Sequence, residues 1–170
     1  MRRIFIVRHG QTDLNLTRKS QNGKDPPMNA TGEAQCRRCH KRLIEILSHE
    51  PIDAVYYSPY KRTVQTMQIL MKGLNQPKIC ESNTLIRHGC YKDEVENFIA
   101  NVFEEVLRND YHNILVVTHG PIVKYMINWL HAIGGIVLDE ATLPVRTPRN
   151  ASVTQIEVGH PNRLLHYDSL

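Results

Sequence analysis

Apolar positions along this chain fall into two patterns. Short unbroken apolar runs, bounded by polar or turn residues, alternate with longer stretches in which apolar residues recur every three or four positions. The first pattern reads as strands covered on both faces, the second as helices with one buried stripe. Arg3 to Arg8 predicts a strand, and a polar loop rich in Asn, Asp, Gly and Pro follows from Gly10 to Ala30. Thr31 is the expected N-cap of a helix whose apolar stripe is Ala34, Cys36, Cys39, Leu43, Ile46 and Leu47, ending before Pro51. Ala54 to Ser58 predicts a second buried strand. A helix from about Tyr60 to Lys72 comes next, with Val64, Met67, Leu70 and Met71 inward and Gly73 as its stop. A short strand near Lys78 to Cys80 leads into a loop through Gly89. Asp93 to Arg108 predicts a helix on Val95, Phe98, Ile99, Val102, Val106 and Leu107. Ile114 to Thr118 is the clearest buried strand, and Pro121 opens a helix to about Ile133 that Gly134-Gly135 ends. Two strands close the chain, Ser152 to Val158 and Leu164 to Tyr167, joined by a turn at Gly159 to Asn162.

Strands alternating with helices predict an α/β domain of three layers, α/β/α. The 170 residues suit a single domain, 1–170, with a sizeable core. In open α/β sheets ligands bind beyond the carboxyl ends of the strands. His9, the turn from Ser58 to Arg62, and His119 all fall at or just after predicted strand ends. Three separate segments therefore converge on one edge of the sheet.

Composition changes this picture little. The net charge is +4, with Lys and Arg scattered, which reads as a solvated surface and not a nucleic-acid footprint. Part of the excess suits an anion pocket, which needs uncompensated cations. There is no run of about 18 apolar residues, so no membrane-spanning helix is expected. The apolar run in MRRIF is too short for a signal-peptide core, and a cytoplasmic protein is expected. Cys36-Arg37-Arg38-Cys39-His40 spells an attachment pattern for c-type haem, but its helical spacing makes the two thiols small core hydrophobes. The other histidines show no HExxH or comparable metal spacing. No metal and no cofactor are expected.

The residues at the sheet edge suit phosphoryl transfer. A neutral histidine attacks phosphorus through one ring nitrogen when a hydrogen bond to the other selects the tautomer. His9 sits on a His-Gly turn where a backbone carbonyl can do this, and attack would form a covalent phosphohistidine. Charge on the transferring group is stabilised by pre-placed cations and donors. Arg8 and Arg62 offer bidentate forks, and a protonated His119 would add a third cation. The helix opening at Pro121 would aim donors such as the Gly120 N–H at the same anion. Asn15 and Asn22 can donate from the long loop.

The stretch RHGQTDLN, from Arg8 to Asn15, is similar to the signature of the histidine phosphatase superfamily, whose best-known branch is the cofactor-dependent phosphoglycerate mutases. SPYKRTVQT (Ser58 to Thr66), VVTHG (Val116 to Gly120) and RNASVTQIEV (Arg149 to Val158) match in family order, and GKDPPMNATGEAQ (Gly23 to Gln35) resembles the link to the first helix. The resemblance implies a phosphoglycerate mutase-like fold, a mainly parallel sheet with one antiparallel strand. It implies that Arg8, His9, Arg62 and His119 form a catalytic quartet with His9 phosphorylated. Asn15 then matches a substrate-binding asparagine, and Asn22 a looser position beside Gly23.

Two departures from the family set the expected activity. Mutases and many relatives carry a glutamate as proton donor two residues beyond a leucine after the third strand; here Leu85-Ile86-Arg87 puts Arg87 in that slot. Glu81, His88, Asp93 and Glu94 are nearby substitutes, with Glu94 preferred at the start of a helix. The long insertion that covers mutase sites is also missing, since Gly89 to Glu94 passes almost directly into the helix. An open site without that acid predicts hydrolysis of good leaving groups. The expected function is a metal-independent phosphatase acting on small phosphomonoesters or on phosphoprotein, with neither nucleic acid nor membrane as partner. The alternatives are a cofactor-dependent phosphoglycerate mutase and an inactive phosphate- or protein-binding module.

Overall fold

The computed structural model describes residues 2–17, 21, 24–75, 77–86, 92–138, 145–159 and 162–169. In chain order its elements are β1 (Arg2–Arg8), α1 (Asp13–Leu16), α2 (Ala30–Leu47), β2 (Ala54–Tyr57), α3 (Lys61–Leu70), β3 (Lys78–Glu81), α4 (Lys92–Arg108), β4 (Asn113–Thr118), α5 (Gly120–Ala132), β5 (Val153–Val158) and β6 (Arg163–Ser169). The six strands form one sheet in the order β3-β2-β4-β1-β5-β6. β1 pairs parallel with β4, and β2 pairs parallel with both β4 and β3. β5 runs antiparallel to β1 and to β6. It is therefore the one strand of the six that opposes the rest.

β1 shows why the sheet has helices on both sides. Its side chains point alternately to opposite faces. Ile4 and Ile6 join Val116, Ile156 and the inner residues of α4 and α5 in one core. Phe5 and Val7 join Leu115, Val117, Val153 and the inner residues of α2 and α3 in the other. An unbroken apolar run is what a strand buried on both faces requires. Cys36 and Cys39 lie in the second core, as their helical spacing predicts, and burial pushes the Cys36 thiol up to about 11.

Several expectations need correction. The N-cap of α2 is Asn29, not Thr31: the Asn29 side chain accepts the Gly32 N–H at 2.9 Å. Both are capping residue types, and the hydrogen bond decides between them. Ala34 and Leu107, expected on inner stripes, are exposed. The loop from Gly10 to Ala30 holds a short helix, α1. The inner face of α3 departs most: Arg62, Thr63 and Thr66 are buried beside Met67 and Leu70, while Val64 and Met71 are only half-buried. A polar side chain buried on a helix needs partners, and those of α3 find them at the sheet edge.

Candidate active site

The carboxyl ends of β1, β4 and β2 lie side by side, with Arg8 opposite Thr118 and Tyr57 opposite Val117. Two bonds extend this ladder past the strands, His9 N–H to Thr118 O at 2.9 Å and Ser58 N–H to Val117 O at 3.1 Å. Because β5 runs the other way, its first residues arrive at the same edge. The Ala151 N–H donates to the carbonyls of Arg8 and His9 at 3.0 and 3.2 Å. The convergence expected from strand ends is thus present, and the β5 entry adds a fourth segment to it.

His9 is buried, and its Nδ1 lies 2.7 Å from the carbonyl oxygen of Gly10. A carbonyl only accepts, so Nδ1 carries the proton and the Nε2 lone pair is left for chemistry. Burial, reinforced by the charges of Arg8 and Arg62, lowers the imidazole to about 3 against the opposing effect of the Gly10 bond. His9 is therefore a neutral imidazole across the ordinary pH range. The following glycine is required by packing. A Cβ on Gly10 would stand 2.4 Å from Met28 Sδ and 2.7 Å from the Gly32 carbonyl oxygen. The first turn of α2 presses directly on this turn, and the Gly10 N–H is taken by Thr66 Oγ1 at 3.0 Å.

His119 is the N-cap residue of α5, one step past β4, and its ring lies 5.2 Å from that of His9. Ser58 Oγ lies 3.0 Å from Nε2 and Arg62 Nη2 lies 3.3 Å from Nδ1. A guanidinium only donates, so Nδ1 accepts and Nε2–H donates to Ser58. In this arrangement Arg62 occupies the Nδ1 lone pair of His119. Arg62 is buried, with Nη1 3.4 Å from the Lys24 carbonyl and 3.8 Å from an Asp25 carboxylate oxygen, and with its guanidinium 4.6 Å from the Tyr60 ring centre. Asp25 also accepts the Lys61 N–H at 2.7 Å, tying the loop after residue 23 to the start of α3.

Arg8 reaches the same edge from the end of β1, with Nη1 donating to the Pro148 carbonyl at 2.6 Å. It crosses over Gly120, where a Cβ would stand 3.1 Å from Arg8 Cδ and 2.5 Å from Thr147 Cγ2. Gly120 is thus bare because Arg8 and the segment before β5 occupy the space a side chain would fill. Asn15 sits in α1, with Oδ1 accepting from the Thr12 N–H and O–H at 3.0 and 3.1 Å.

The structure therefore brings together Arg8, His9, Arg62, His119 and Gly120, with Asn15 joined to them through Asn150. Glu94 is exposed on the first turn of α4. Asn22 and the Arg87 and His88 positions lie outside the described residues. Sequence reading placed the Ser58 to Arg62 turn at this edge but gave Ser58 and Tyr60 no role, and it gave none to Thr66 and Asp25; all four touch the site residues as single polar groups with no periodic signal. It also missed Gln21, buried with Oε1 having no hydrogen-bond partner among the described residues. Among the described residues no three His, Cys, Asp or Glu side chains stand together as a metal-holding group. No described helix is long and apolar enough to cross a membrane.

Comparison with known proteins points the same way. Residues 4–86 match the family model of the histidine phosphatase superfamily (branch 1). A Bacillus subtilis protein named uncharacterized phosphatase PhoE is 39% identical over 77 residues, 45% of this chain and 38% of that one. The broad-specificity phosphatase YOR283W of Saccharomyces cerevisiae is 27% identical over 162 residues, 75% of this chain and 70% of that one. The match thus spans well under half the length of PhoE and just over two thirds of the yeast protein. A phosphoglycerate mutase of Bacillus anthracis superposes with a TM-score of 0.77 over 99% of this chain and 93% of its own at 16% identity, so the fold is phosphoglycerate mutase-like.

Proposed function

Because the chain belongs to the histidine phosphatase superfamily, we propose that it is a metal-independent phosphatase, hydrolysing phosphomonoesters through a phosphohistidine on His9. The observation that carries this reading is the state of His9. Its ring is neutral, fixed through Nδ1 by the Gly10 carbonyl, and set between two arginines and a second histidine. In the first step Nε2 forms a bond to phosphorus while the bond to the leaving oxygen breaks. That oxygen departs as the alcohol after taking a proton, or as the anion when it is a good leaving group. In the second step water attacks the phosphohistidine, releasing phosphate and restoring His9.

Arg8 and Arg62 supply the charge that a phosphoryl group calls for, and pre-placed donors of this kind are what such a transfer needs. Anion binding would compete with His119 for the Arg62 guanidinium. Release of Nδ1 would then let His119 take up a proton beside the bound phosphate. With Arg87 in the usual position of the acid, easily departing groups are favoured: aryl phosphates, acyl phosphates and phosphoramidates. The substrate class is small phosphorylated molecules. Phosphoprotein is a further candidate of the same chemistry, and the cytoplasm is the setting proposed for it.

Phosphate release from p-nitrophenyl phosphate and 3-phosphoglycerate, measured in parallel with a chelator present, tests the reading. The expected result is release by the native chain, faster from the aryl ester, and none above background by His9→Ala. Equal release by the variant would sink the proposal. Conversion of 3-phosphoglycerate to its 2-isomer faster than phosphate release would put the mutase reading in its place.

A further inference from the structure

The segment Arg149 to Ser152 enters the site but has no part in the chemistry above. Ala151 is buried and takes a positive φ of 56°, a left-handed conformation that a non-glycine residue adopts at a cost. This conformation lets its N–H reach the carbonyls of Arg8 and His9. Beside it the Asn150 amide nitrogen lies 3.0 Å from the His9 carbonyl oxygen and 3.3 Å from Asn15 Oδ1. An amide NH2 has two hydrogens, and these two acceptors use both.

The orientation of Asn15 follows from its neighbours. The atom facing Asn150 also receives the Thr12 backbone N–H. A backbone N–H only donates, so that atom is oxygen. Thr12 and Asn150 thus hold the oxygen end of Asn15 from two sides. Nδ2, the only donor in this side chain, is the end left to offer an anion. Of the two holders, Thr12 is three residues away on the same loop. Asn150 comes from the opposite end of the chain, 135 residues away in sequence, and is the one that ties Asn15 to the backbone of His9.

We propose that Asn150 is a positioning residue for phosphate binding, joining the His9 carbonyl to Asn15 so that the Asn15 amide nitrogen is presented at a fixed distance from the His9 ring. The inference rests on the phosphoryl-transfer reading of this site. Asn150 would touch no substrate itself and would act through Asn15.

The test is a double-mutant cycle on the affinity for inorganic phosphate, read by calorimetric titration, with melting temperatures recorded for each chain. The four proteins are the native chain, Asn15→Ala, Asn150→Ala and the double variant. Each single change is expected to weaken phosphate binding roughly tenfold, the loss of one hydrogen bond to a charged group, and the double variant by little more than either. A merely structural Asn150 would lower the melting temperature and multiply its effect with that of Asn15→Ala, giving about a hundredfold loss in the double variant. That product, or an unchanged affinity in Asn150→Ala, would overturn the inference. Should Asn150→Ala fail to fold, Asn150→Ser, which keeps a small polar side chain at the turn, takes its place in the cycle. A native chain that binds no phosphate would remove the phosphoryl-transfer reading and this inference together. Native binding left unchanged by Asn150→Ala would remove this inference alone.

Discussion

Among the described residues two His-Gly pairs follow neighbouring strand ends, and they are built in opposite ways. His9 is held by the main chain: its Nδ1 donates to the Gly10 carbonyl, its own N–H to Thr118, and its carbonyl accepts from Ala151. His119 is held through both ring nitrogens by side chains, Ser58 and Arg62. A backbone partner cannot swing away, so the tautomer of His9 is fixed. Side-chain partners can rotate, and Arg62 is itself a group that an incoming phosphate would attract. The difference teaches which histidine suits a nucleophile, needing one unchanging lone pair, and which suits a group that changes protonation as the reaction proceeds. The two glycines differ likewise. Gly10 is kept bare by the first turn of α2, Gly120 by the Arg8 side chain and Thr147.

Short of losing His9 itself, the largest expected effect on activity comes from removing the side chain shared between His119 and the anion. Arg62→Ala should lower kcat/KM by roughly 10²- to 10³-fold, the usual loss for one pre-placed donor to a developing charge. Steady-state kinetics on p-nitrophenyl phosphate measures it. A loss under threefold would mean that Arg62 only packs against Tyr60 and Asp25.

The next effect concerns the backbone-held histidine and appears in stability. An ordinary histidine titrates near 6.5, while His9 in the native fold is lowered to about 3 by burial and the nearby arginines. Between these values the unfolded chain binds a proton that the native chain refuses. The native fold should therefore lose stability as pH falls from about 6.5 toward 3, by up to about 1.4 kcal/mol per pH unit, and keep the full contribution above 6.5. Denaturant unfolding of the native chain and of His9→Gln across this range gives the difference. The variant should show the shallower acid loss, and parallel curves would mean that His9 is already protonated in the native fold.

The smallest effect is expected at Ser58. Ser58→Ala removes the acceptor of the His119 Nε2–H but leaves Arg62 in place, so activity should fall about tenfold or less and stability by about 1 kcal/mol. The pH dependence of kcat should shift, because a hydrogen-bond partner of the His119 ring is gone. A profile that keeps its shape would argue that Ser58 does not control the ring.

Much of this comparison was legible in the residue pattern. Arg8, His9, Arg62 and His119 stand at predicted strand ends, and the alternation of strands and helices located the edge they share. The hold on His9 was also legible, because a His-Gly turn offers a carbonyl next door. The hold on His119 was not. Ser58 and Arg62 reach it from β2 and α3, and no local spacing reports a contact across that distance in sequence. Arg62 was legible as a site residue from its place just past the second strand, but its full burial and that of Thr63 and Thr66 were not, because polar residues on a helix usually face water; here the site supplies their partners. Asn150 was visible only as part of a matching segment, since its role depends on two acceptors from the other end of the chain. The Asn29 cap was missed because Asn29 and Thr31 are both capping types, and the fit of α2 against the Gly10 turn selects the earlier one.

The central claim is that the Gly10 carbonyl chooses which nitrogen of His9 reacts. Rapid quenching of the native chain with p-nitrophenyl phosphate, followed by phosphorus and nitrogen NMR of the trapped protein, reads this directly. The account predicts one acid-labile phosphoryl group per chain, on Nε2 of His9. A phosphoryl group on Nδ1 of His9, on His119, or on no histidine during active turnover would contradict it.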